Sequence, residues 1–101
     1  MMQGDSYRLP VLIQKADGTV ITDADVANVE ICIGRLIKTT KSGEVIYSDG
    51  YFHFPLTQEE TFRLAAGPVM AQVRVAWPDG SVEGDVLGVI HISKSTSKEV
   101  L

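Results

Sequence analysis

Three Asp-Gly pairs, Asp17-Gly18, Asp49-Gly50 and Asp79-Gly80, each stand between runs of β-branched or aromatic residues. Asp-Gly supplies the positive φ angles that tight hairpin turns need, so each pair marks a point where one strand doubles back beside the next. Three hairpins follow. The first joins Leu9–Gln14 to Thr19–Thr22, and the second joins Glu44–Ser48 to the aromatic run Tyr51–Leu56. The third joins Val69–Trp77 to Ser81–Ile92. In Val69–Trp77 a period of two places Val69, Ala71, Val73, Val75 and Trp77 on one face and Met70, Gln72, Arg74 and Ala76 on the other, the signature of a half-buried antiparallel strand. The returning strand is apolar on both faces after Asp85.

The segments between the hairpins differ in kind, so the spacing of the Asp-Gly pairs is not a repeat. Val26–Gly34 alternates Val29, Ile31 and Ile33 with Glu30, Cys32 and Gly34, and reads as a further strand entered through the turn-like Thr22-Asp23-Ala24-Asp25. Lys38–Gly43 is polar and reads as a loop. One segment departs from the β pattern. Thr57 and Glu60 stand in capping-box spacing and Gly67-Pro68 is a stop signal, which predicts a two-turn helix over about residues 58–66 with Phe62, Leu56 and Ala66 packed inward. The fold class is therefore all-β: an Ig-like antiparallel β-sandwich of about seven strands with one short helix that carries the chain from sheet to sheet.

Composition agrees. Val (12) and Ile (8) make up about a fifth of the 101 residues, and β-branched side chains favour pleated surfaces. The length suits one domain over residues 1–101, with 1–6 and 95–101 expected as loosely ordered ends. A single Cys excludes an internal disulfide framework. No apolar run approaches the ~20 residues of a membrane-spanning helix, and no basic segment leads into an apolar one as in a signal peptide, so the expectation is a soluble chain with no membrane partner. A net charge of −4, with nine basic residues scattered and never three in a run, argues against a nucleic-acid partner.

Chemistry-bearing patterns are few. Asp17, Asp23, Asp25, Asp49 and Asp79 offer oxygen ligands, yet turn aspartates commonly cap their own backbone and no loop has the EF-hand spacing for calcium. Cys32, His53 and His91 lack paired metal-ligand spacing. Neither a nucleophile elbow nor a phosphate-binding glycine loop occurs, and the expectation is a non-enzyme with no catalytic residues, cofactor or metal. Tyr47, Tyr51, Phe52 and Trp77 fall near hairpin ends, and Tyr51, directly after a turn, is the ring best placed to stack on a sugar. Trp77 is in phase with Val73 and Val75 and belongs to the core. Val86–Ile92 carries more apolar surface than a small sandwich readily hides, so Leu87, Val89 and His91 are expected to contribute to a subunit contact.

The stretch Leu56–Val82 holds an LT-x-E-ET connection, then Leu64, Ala66-Gly67-Pro68, and Gln72-Val73-Arg74-Val75 running into Trp77-Pro78-Asp79-Gly80. With the Ser-rich end Ile92–Leu101, it resembles the N-terminal Ig-like domain of phage baseplate upper proteins and small prophage tail structural proteins of Gram-positive bacteria. The resemblance spans residues 9 to 99, its distinctive part fewer than thirty residues; baseplate proteins continue beyond this domain into helical and receptor-binding portions. It implies a virion component made in the bacterial cytoplasm. Such a module docks on other tail proteins or on copies of itself, as a homo-oligomer, without catalysis. The alternative on the same scaffold is a carbohydrate-binding or adhesion module.

Overall fold

A computed structural model describes residues 1–97 and 101, and the side chains of all of these except 86–90. Its strands are β1 (Tyr7–Val11), β2 (Asn28–Ile33), β3 (Leu36–Thr39), β4 (Ile46–Ser48), β5 (Tyr51–Leu56), β6 (Gly67–Ala76) and β7 (Val82–Ile92). A 3-10 turn at Asp23–Asp25 and the helix α1 (Gln58–Arg63) complete the elements. The strands form two antiparallel sheets, ordered β1-β5-β4 and β3-β2-β6-β7. The chain changes sheet after β1, after β3 and, through α1, after β5. This is the all-β sandwich that the sequence predicts.

Period-two patterning builds the core. Val29, Ile31 and Ile33 of β2, Ala71, Val73 and Val75 of β6, and Phe52, Phe54 and Leu56 of β5 are all buried between the sheets. The β2–β6 register sets Val29 opposite Val75 and Ile31 opposite Val73, so the apolar faces of the two central strands coincide. Outward positions on β2 and β6 carry Glu30 and Arg74, joined by a 3.0 Å ion pair.

The three Asp-Gly turns divide into two kinds. Asp49 (φ 54°) and Gly50 (φ 85°) are both left-handed, making a two-residue hairpin between Ser48 and Tyr51. The other two are three-residue loops with only the glycine left-handed, Gly18 at φ 88° and Gly80 at φ 91°. Their hydrogen bonds match: Gly18 N–H to Lys15 O and Lys15 N–H to Thr19 O in one, Gly80 N–H to Trp77 O and Trp77 N–H to Ser81 O in the other. In each, the aspartate caps the backbone two residues on, Asp17 at Thr19 and Asp79 at Ser81.

Local expectations are corrected in two places. The helix is six residues, Gln58–Arg63, and ends where Leu64 turns extended, three residues before the Gly67-Pro68 signal. The Thr57–Glu60 capping box is present, but Thr61 and Leu64 are buried while Ala66 is exposed. The segment read as a polar loop instead begins inside β3, where Lys38 points inward, 7% exposed. Its Nζ donates to Pro55 O (2.7 Å) and to Glu60 Oε1 (2.8 Å), which satisfies a charge that would otherwise be costly to bury. At the N-terminus, residues 1–5 bond to the rest of the chain. Gln3 N–H donates to Ser93 O, Gly4 N–H to Thr61 Oγ1, and Thr61 Oγ1–H to Asp5 O. At the other end, residues 98–100 lie outside the described part of the chain.

Candidate functional site

Each sheet has two edges, and the four differ in how far they are protected. β4 has three residues and β3 four, while β1 has five and carries Pro10, whose missing N–H blunts an edge. β7 is the exception: eleven residues without a proline. Among the described residues, its end is covered by a parallel bridge between Met2 and Ser93 and by the Met1 amino group donating to His91 O. A register shift between Ala71 and Gln72 passes over Leu87, a bulge that twists the strand midway.

Beside the first residues of β7 lies an open cleft of about 1040 Å³ between the two sheets. Ile13, Ile21, Val73 and Val75, all core residues, form its floor, and the Asp79-Gly80 hairpin together with Lys15 and Ala16 forms its rim. Trp77 lines it, half-buried, with the Lys15 ammonium 5.6 Å from the ring centroid. The Trp77 Nε1–H is buried with no hydrogen-bond partner, an unusual state for an indole. Glu83 and Asp85 also line the cleft. They stand opposite Val75 and Val73 in the β6–β7 register, so two carboxylates occupy the core-facing side of the edge strand where apolar residues would be expected. Continuing the Val69–Trp77 alternation through the Asp79-Gly80 turn places them there, a count that the apolar run after Asp85 obscures.

The expected site residues do not gather at one place. His91 is exposed on β7, at Cα register with Pro68, whereas the side chains of Leu87 and Val89 lie outside the described residues. Tyr51 is 41% exposed, and its ring meets His53 edge-on at 6.4 Å. The other rings are elsewhere: Phe52 is fully buried, Tyr47 tilts against it at 59°, and Trp77 is in the cleft wall. No pair of exposed, parallel rings forms a sugar-stacking platform among the described residues.

The turn carboxylates act on their own backbone. Hydrogen bonds from Thr19 hold Asp17 below the ordinary carboxylate range, those from Ser81 do the same for Asp79, and those from Thr22 for Asp25. Among the described residues no three His, Cys, Asp or Glu side chains converge as a metal site would require. Burial, and then the charge of Glu30, pushes the Cys32 thiol up, and Sγ lies 3.6 Å from Glu30 Oε1. That arrangement favours the thiol over the nucleophilic thiolate. No helix among the described residues is long and apolar enough to cross a membrane.

Comparison with known proteins leaves these features to speak for themselves: no family model, no curated protein and no solved structure matches the chain.

Proposed function

We propose that this chain is a non-enzymatic assembly module, a component of a phage or prophage tail or baseplate that works through protein–protein contacts. The observation that carries the reading is the β7 edge: eleven residues, no proline, pairing on its outer side, among the described residues, only near its end, and exposed apolar side chains such as Val82 at 58%. A long open edge is a template for pairing with another chain, and proteins that do not use one generally shorten or cover it, as happens at β3 and β4. The helix-to-strand unit from Leu56 to Val82, with its resemblance to baseplate domains, supplies the virion context. The adhesion alternative has less behind it, since Tyr51 is a lone exposed ring without a parallel neighbour.

The test is light scattering coupled to size exclusion, on the chain alone from about 10 µM to 1 mM and then mixed with the products of the genes adjacent to its own. The expected result is a defined oligomer or complex that dissociates when Val82→Pro is introduced at the edge. A strict monomer under all these conditions overturns the reading.

A further inference from the structure

We infer that the cleft beside β7 takes one extended polypeptide segment of a partner protein, added as a strand to the β7 edge, with basic residues at the alternate positions that face Glu83 and Asp85. The inference rests on the assembly reading above and names the chemistry of the partner. Its first support is the backbone. Trp77 N–H donates to Ser81 O, so in the alternation of an antiparallel pair Glu83 and Asp85 turn their peptide groups toward β6, and Val82 and Gly84 turn theirs outward. Those outward groups flank the cleft, and Gly84 lies in its wall. Strand addition uses just such a row of donors and acceptors.

Side-chain register supplies the second support. Glu83 and Asp85 share the core-facing side of the sheet with Val75 and Val73, above an apolar floor. Residues directly across from them on an added strand would sit within cross-strand pairing distance, where opposite charges attract and like charges repel. The Lys15 ammonium over the Trp77 ring marks the same wall as a place that accommodates a cation. A lysine or arginine at alternate positions fits this arrangement, and the residues between them, on the outer face where the Arg74 stem lies over Gly84, are best uncharged.

An acetylated, amidated nonapeptide alternating Lys and Val tests this. Binding is read from the fluorescence of Trp77, the single tryptophan of the chain, and from amide shifts at Val82 and Gly84. The expected result is saturable binding that weakens with salt, falls about tenfold or more in the Glu83→Gln/Asp85→Asn double variant, and disappears when the peptide is N-methylated along one edge. Equal binding by the N-methylated peptide or by a Glu-Val counterpart overturns the proposal. So does an absence of binding at millimolar peptide, which would make Glu83 and Asp85 guards of the edge. Should the chain assemble by light scattering and the double variant assemble equally well, this site falls while the assembly reading stands; should no assembly occur, that reading falls on its own measurement.

Discussion

The sandwich closes differently on its two sides. On the side of β3 and β4 the chain itself passes between the sheets, Val45 N–H donates to Thr39 O, and Lys38 reaches across from β3 to the end of β5 and to α1. On the side of β1 and β7 the described residues join the sheets at one end, where residues 1–5 bond to Ser93 and Thr61. The other end is the cleft. Both sides solve the same problem, the exposure of edge backbone and core side chains, the first with an internal ion pair and the second by leaving room. A charge buried inside a protein must be matched within the chain, whereas an exposed carboxylate such as Glu83, at the rim of the cleft, keeps its contact with solvent.

Removing the cross-link tests the closed side most severely. Lys38→Ala strips Glu60 of its cation and Pro55 O of a donor, and also leaves a gap beside Phe54, whose ring centroid lies 5.2 Å from Nζ. Glu60 keeps some solvent access, so the expected loss is about 2–3 kcal/mol, toward the lower end for broken buried pairs. Lys38→Met, which fills the space without the charge, should lose less. For Glu60, burial raises the carboxyl pKa, but hydrogen bonds from Lys38 and Thr57 outweigh it and leave it lowered. A lowered folded-state pKa means stability that is present above the ordinary carboxylate range and lost as pH falls through the folded value. Urea unfolding at pH 7 and pH 3 should therefore show the gap between wild type and Lys38→Ala narrowing on acidification. An unchanged gap would remove the ion pair from the account of this side.

That side was also the hardest to read from sequence. Strands β2 and β6 announce themselves because Val29, Ile31, Ile33 and Val69 to Val75 alternate cleanly with polar residues. In β3 the inward positions are Leu36 and Lys38 and the outward Ile37 is 60% exposed, which inverts the pattern, so a four-residue strand looks like the start of a polar loop. Pro55 O and Glu60, seventeen and twenty-two residues on, make the lysine tolerable there, and no local signal connects them. The cleft was half legible. Its two flanking hairpins are written as Asp-Gly, but the openness of β7 depends on strand order, which long-range pairing decides.

At the fastened end of the open side the decisive residue is Thr61. It is fully buried, its hydroxyl accepts from Gly4 N–H at 2.9 Å, and it lies within hydrogen-bond distance of Asp5 O (2.7 Å) and Gln58 O (3.1 Å). Thr61→Val keeps the shape and removes these bonds, for an expected cost of about 1–2 kcal/mol. Hydrogen exchange should show more than a uniform loss. Amides of Gln3, Gly4 and Ser93 are expected to lose protection first, while those of β2 and β6 retain it. Uniform loss would mean that the N-terminal segment is part of the global unit and not a separate clasp.

The hairpins give the smallest and most selective contrast. Asp49 is itself left-handed, so Asp49→Ala forces a residue with a Cβ and no compensating side-chain oxygen into φ 54°, at about 1 kcal/mol. Asp49→Gly should relieve the strain, and the penalty, being conformational, should persist at low pH. Asp79 has its role in hydrogen bonds, to the Ser81 N–H at 2.8 Å and the Ser81 hydroxyl at 2.6 Å, and these hold its pKa down. Asp79→Ala should therefore cost less than Asp49→Ala at pH 7, and its cost should fade as pH falls below the ordinary carboxylate range, because the protonated wild type has already lost the charge those bonds favour. Thermal unfolding of both variants across pH 7 to 2 separates the two turns. Identical pH profiles would mean that the three Asp-Gly pairs are held alike despite their geometry.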